Sequence, residues 1–152
     1  MRLRAASVED ADAFGAIARA AFGVYLERLP AGVRPAPMEA DHATVIRRHE
    51  AWVLEADGLV GGFLTLVPSG DHLLLETVAV DPALQGRGLG RRLLALAEER
   101  AAALGLPAIR LYTHVAMTEN QALYERLGYR EVSRGRQAGL DRVFYEKRLG
   151  RT

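Results

Sequence analysis

Residues 73–113 run strand, glycine-rich turn, helix, strand, and that order restricts the possible folds more than any other feature of the chain. "DHLLLETVAVDP" is an apolar strand that stops at Asp81-Pro82. The helix that follows, from about Gly88 to Ala103, sets Leu89, Leu93, Leu96, Ala97, Ala101 and Leu104 on one face. Gly105 and Pro107 end it, and "AIRLYTHV" resumes as a strand. Two strands joined through a helix lie parallel, with a right-handed crossover. The sheet must therefore contain a parallel pair.

The flanking segments argue for antiparallel neighbours. "AWVLEA" and "LVGGFLTLVP" are separated by Asp57-Gly58, a hairpin signal, and the third strand follows directly. "MRLRAAS" reads as a short first strand. Ser7 then stands as an N-cap with Glu9 and Asp10 in the first turn, before a helix that buries Ala13, Phe14, Ile17, Ala20 and Ala21. Three prolines between Gly23 and Met38 predict a loop or broken helix, and a short helix spans Glu39 to His49. "TENQALYERLG" is a helix capped at Thr118 or Asn120 and closed by Gly128; "YREVSR" and "RVFYEKRL" form a last antiparallel pair. The expected fold is α/β: a mixed, mostly antiparallel sheet of about seven strands with a central parallel pair and helices on both faces. At 152 residues it forms one domain, 1–152.

The junction "QGRGLGRRLL" (85–94) is costly on local grounds. It places three glycines and three arginines in the first turn of a helix. Glycine is a poor helix former, and a helix N-terminus already carries partial positive charge. A bound anion resolves both conflicts. Glycines let a phosphate approach the backbone, free N–H groups point at it, and the arginines add charge-assisted bonds. A plain turn with solvated arginines is the competing reading, since Lys147 is the sole lysine and arginine carries nearly all the positive charge. Two nucleotide motifs fit poorly. The segment lacks the Gly-Lys-Ser/Thr ending of a P-loop. A dinucleotide fingerprint would need glycine where Arg91 stands and an acid where Ile109-Arg110 stands.

"VAVDPALQGRGLGRRLL" resembles the acyl-CoA-binding segment of the GNAT acetyltransferase superfamily, whose Gln/Arg-x-x-Gly-x-Gly/Ala hallmark is matched by Gln85, Gly88 and Gly90. Downstream, "NQALYERLGYRE" resembles the superfamily's Asn…Leu-Tyr-Glu…Leu-Gly-Tyr/Phe segment. The likeness is weak before residue 50. It implies that acetyl-CoA lies between "LLLETVAV" and "AIRLYTHV". The backbone of Val78, Ala79 and Val80 would pair with the pantetheine arm, and an N–H near Val78 would face the thioester oxygen. Gln85, Gly86 and the amides of Arg87, Gly88, Leu89, Gly90 and Arg91 would hold the pyrophosphate. Arg91 or Arg92 would reach the ribose phosphate, and Asn120 would contact cofactor or an active-site water.

Acetyl transfer to an amine requires the ammonium to lose a proton and the departing thiolate to gain one. The resemblance puts Tyr124 in the acid role; a phenol with a reference pKa of about 10 stays protonated at neutral pH. A core tyrosine is the alternative. Glu76 interrupts an apolar strand and, by simple alternation, shares a face with Val78 and Val80 unless a bulge intervenes. It is either the base, its pKa raised by partial burial, or a surface carboxylate. His114 is the competing base and otherwise structural. His42 and His49 complete no metal-ligand set and read as surface residues; no metal is expected. Trp52, Phe63 and Leu66 read as core.

The implied activity is N-acetyl transfer from acetyl-CoA to a primary amine of a small molecule or protein, by direct attack in a ternary complex. A catalytically silent acyl-CoA sensor is the alternative. Acceptor pockets in the superfamily come from segments matching Phe22 to Met38 and Ser133 to Asp141; the latter is polar and glycine-rich enough to move as a lid. A net charge of +1 argues against nucleic acid. Absent cysteine, a non-apolar N-terminus and no apolar run near ~20 residues argue for a cytoplasmic protein without membrane contact. An exposed edge strand would allow a homodimer.

Overall fold

A computed structural model describes residues 1–137 and 139–150; Ala138, within the expected lid, and the last two residues lie outside the described set. Seven strands form one sheet in the order β1-β2-β3-β4-β5-β7-β6. They are β1 (Arg2–Ala5), β2 (Glu50–Ala56), β3 (Leu59–Ser69), β4 (His72–Val80), β5 (Ala108–His114), β6 (Arg130–Gln137) and β7 (Leu140–Arg148). The helices are α1 (Ala11–Gly23), α2 (His42–Arg48), α3 (Leu89–Ala103) and α4 (Thr118–Arg126). Every strand pair is antiparallel except β4–β5, which is parallel, as the crossover through α3 requires. No helix among the described residues is long and apolar enough to cross a membrane.

Local signals account for the elements. Asp57 and Gly58 take positive φ, as a two-residue hairpin demands. The Ser7 N–H donates to the Asp10 carboxylate (2.8 Å), and Arg4 reaches the same carboxylate from β1 (2.9 Å). These bonds hold Asp10 below the usual carboxylate range. A 3-10 turn there precedes α1, which begins at Ala11. The proline-bearing stretch holds only two 3-10 turns, Leu26–Arg28 and Ala36–Met38. α3 closes as expected, with the Leu106 N–H on the Ala101 carbonyl and the Gly105 N–H on that of Ala102.

Each face of the sheet has its own core. α1 buries Phe14, Ile17 and Ala18 against Ala51, Val53, Phe63 and Ala79. α3 buries Leu89, Leu93, Leu96 and Ala97 against Leu64, Leu66, Leu73 and Leu75. Two expectations about burial fail. Ala20 is exposed and Ala18 takes its place; Leu104 is 42% exposed and Leu94 is buried instead. Both lie at the edge of an apolar stripe, where a small rotation of the helix decides burial. His42 is not a surface residue. Its ring lies edge-on to Phe14 and Phe63, and its Nε2 meets the Pro37 carbonyl at 3.0 Å.

The close seat of α3 on β3 depends on Gly62. A Cβ there would stand 3.0 Å from the Ala79 carbonyl and 3.1 Å from Leu93. Gly62→Val should cost about 1–3 kcal/mol by overpacking, read as a lower urea midpoint at unchanged m-value.

Candidate active site

β4 and β5 pair only at Leu73–Ile109 and Leu74–Arg110. Beyond Leu75 the two strands part, and β4 backbone groups aimed at β5 have no ladder partner. A bulge marks the same point. On β3, Leu66 faces Leu75 and Thr65 faces Thr77, so Glu76 is the extra residue. The alternation expected for Glu76 therefore fails. Leu73 and Leu75 lie in the α3 core, Val78 and Val80 pack against that same core, and Ala79 falls on the α1 face. Counting by twos across Glu76 would have put Leu75 and Ala79 on one face.

Two cavities adjoin at this splay. One, of about 320 Å³, is walled by Glu76 and Thr77 of β4, Tyr112 and His114 of β5, and Arg142 of β7. Leu29, Pro35 and Pro37 of the connection after α1 close it. The other, of about 500 Å³, follows Val78, Ala79 and Val80 to the turn at Gln85, Gly86 and Gly88. It continues along Leu89, Gly90 and Arg91 and is bounded by α4. Phe22, Val78, Asn120 and Tyr124 belong to the walls of both.

The turn opens α3 with free backbone amides. Gly88 is the N-cap of α3 at φ 80°, a conformation in which a side chain is disfavoured. The first α3 amide to find an acceptor is that of Arg92, on the Gly88 carbonyl (3.1 Å). Leu89, Gly90 and Arg91 thus present N–H groups without intrahelical partners, at the positive end of a 15-residue helix. The Arg87 side chain points elsewhere. It is exposed and turned toward the Asp57 carboxylate at 3.7 Å. Arg92 is likewise exposed, 3.8 Å from Glu99. Arg126 of α4, which sequence reading missed, borders the cleft beside Arg91. Only the packing of α4 on the α3-side core brings it there.

Tyr124 is 7% exposed, and burial pushes its phenol well above the ordinary range, with nearby Tyr25 and Tyr145 adding to the rise. Its ring packs on Tyr129 and Tyr145, with centroids 5.9 and 6.1 Å away. His114 is held below its ordinary pKa, chiefly by burial. Its Nδ1 faces the Ala116 N–H at 3.0 Å and accepts from it, so the neutral ring carries its proton on Nε2. That tautomer has no lone pair left for a substrate proton.

Neither Thr118 nor Asn120 caps α4. The N-cap is Met117, with no side-chain cap bond, and Asn120 sits in the first turn. The Asn120 Oδ1 instead accepts from the Tyr25 hydroxyl at 3.4 Å, tying the end of α1 to α4. Gln121 secures the approach, its Nε2 donating to the carbonyls of His114 (3.3 Å) and Val115 (3.0 Å). Of the second expected pocket segment, Leu140 reaches the smaller cavity, whereas β6 is exposed throughout.

A family model described as Acetyltransferase (GNAT) family matches residues 18–129. An uncharacterized N-acetyltransferase, YjgM, of Escherichia coli K12 is 35% identical over 88 residues, covering 55% of this chain and 53% of its own length. The mycothiol acetyltransferase of Rhodococcus jostii is 40% identical over 75 residues, 49% of this chain and 23% of that protein. The chain thus spans about half of one relative and about a quarter of the other. The PaiA N-acetyltransferase of Thermoplasma acidophilum, solved with coenzyme A, has a TM-score of 0.83 at 20% identity, over 97% of this chain and 98% of that one. The ribosomal-protein-S18-alanine N-acetyltransferase of Escherichia coli has a TM-score of 0.77 at 20% identity, over 99% and 95%. At such identities the two structures share the fold.

Proposed function

The chain belongs to the acetyltransferase (GNAT) family, and from that premise we propose that it moves an acetyl group from acetyl-CoA to a primary amine by direct attack in a ternary complex. One observation carries the reading: two cavities of different character share a wall at Val78, Asn120 and Tyr124. A donor in one and an acceptor in the other would meet there without a covalent enzyme intermediate. The chain has no cysteine to form a thioester of its own.

The larger cleft suits acetyl-CoA. Residues 88–91 would hold the pyrophosphate on free amides, with Arg91 and Arg126 adding charge. The unpaired edge of β4 from Val78 to Val80 would take the pantetheine amides as a strand takes its neighbour. An N–H near Val78 would steady the oxyanion that amine attack creates. Tyr124, its phenol pushed up by burial and so protonated at neutral pH, would donate to the departing sulfur. Glu76, half-buried in the wall of the smaller cavity, would accept the ammonium proton directly or through water. His114 is the weaker candidate because of its tautomer. All these groups come from residues 76–126, within a single domain.

The reading is tested by release of free coenzyme A thiol when protein and acetyl-CoA meet a panel of primary amines. The expected result is amine-dependent release matched by N-acetylated product. Tight acetyl-CoA binding with no release across the panel would leave a sensor, not an enzyme.

A further inference from the structure

Arg142 is a buried charge that the proposed transfer leaves unused. It is 9% exposed and projects from β7 into the wall of the smaller cavity. Its register partner on β5 is His114. The Tyr112 ring covers one face of the guanidinium, with the charge centre 4.2 Å from the ring centroid. Among the described residues one of its five N–H donors has a partner, the Gln137 amide oxygen at 2.7 Å. Among the described residues no carboxylate oxygen lies within 4.0 Å of it. The adjacent Asp141 is exposed and turned toward Arg136, at 3.7 Å. Glu76 lines the same cavity without forming an ion pair with it.

A buried guanidinium with no counter-charge is costly unless something else supplies one. The stacked ring and the amide fix its plane and leave a fork of donors suited to a two-oxygen anion. The cavity thus carries a cation from β7 and a carboxylate from β4, and Leu29, Pro35 and Pro37 add apolar wall. Its volume of about 320 Å³ suits a small molecule rather than a folded surface.

We infer that the acceptor is a small amino acid-like zwitterion, its carboxylate held by Arg142 while its amine points toward Glu76 and the Val78–Tyr124 junction. This rests on the transferase reading and narrows it. Arg142 acts as a specificity-determining residue: it fixes the acceptor's far end and takes no part in proton transfer.

The test compares free amino acids with their own amides: leucine against leucinamide, phenylalanine against phenylalaninamide, and 4-aminobutyrate against 4-aminobutanamide. For the two α-amino acids, the amide has the more readily deprotonated amine. A preference for the acid there can come only from the carboxylate. In the parent protein the acid of each pair that turns over should lead by about 10–100-fold in kcat/KM, mainly through KM. Arg142→Met should collapse that ratio to near unity. If Arg142→Met fails to fold, binding to the parent decides: N-acetylleucine should protect it from heat in the presence of coenzyme A, and N-acetylleucinamide should not. Amides that match or beat their acids, or turnover confined to amines without carboxylates, overturn this inference while leaving the transferase standing. No transfer to any amine sinks both.

Discussion

Tyr124→Phe is expected to lower kcat by about 10²–10³-fold while acetyl-CoA affinity stays within about threefold of the parent. The substitution removes one oxygen. The ring keeps its packing on Tyr129 and Tyr145 inside the α3-side core, so stability should change little. What disappears is a proton donor on the wall shared by both cavities. Burial keeps that phenol protonated well beyond neutral pH, so Tyr124 should add no ionisation of its own to the pH–rate profile below about pH 10. Thiol-release kinetics and calorimetry on the same preparation separate the two effects. Unchanged turnover would return Tyr124 to the role of a core residue.

Gly88→Asp should weaken acetyl-CoA binding by at least about 100-fold, because a carboxylate would stand against the pyrophosphate proposed to sit at the start of α3. Fold damage is the obvious confound, and Gly88→Asn controls for it. Asn and Asp share the left-handed tolerance that φ 80° requires, and a Cβ at this position meets nothing within 4 Å. Both variants should therefore melt within about 5 °C of the parent, since the strain is common to both and a negative charge at a helix N-terminus is favourable. Affinity should separate them, Asn losing far less than Asp. Equal affinities for coenzyme A would mean that the phosphates do not sit at this turn.

The outline of the candidate site was legible in the sequence. The run from Leu73 to His114 announced a parallel crossover, and the cost of glycines and arginines at one helix start pointed to an anion. The same reading went astray wherever a residue's surroundings came from elsewhere in the chain. Arg87 and Arg91 are alike in sequence, yet one turns to Asp57 and the other lines the cleft. Asn120 looked like a cap and became a bridge to Tyr25, 95 positions away. Arg142 drew no reading from the sequence, since it is one arginine among many next to Val143. It is buried because the segment after α1 folds over that face of the sheet.

The division has a physical basis. Backbone conformation at a hairpin, a helix start or a helix stop is decided by atoms within a few residues, so the order of elements, the Asp57-Gly58 turn and the anion-ready turn before α3 were written in the chain itself. Which way a side chain faces depends on register, and register is a long-range property. The bulge at Glu76 exists only because β3 pairs as it does. The parting of β4 from β5 is likewise set between distant segments, whose pairing stops at Leu74 and Arg110. The joining of two cavities at one wall and the buried charge of Arg142 are consequences of tertiary packing, which no local pattern announces.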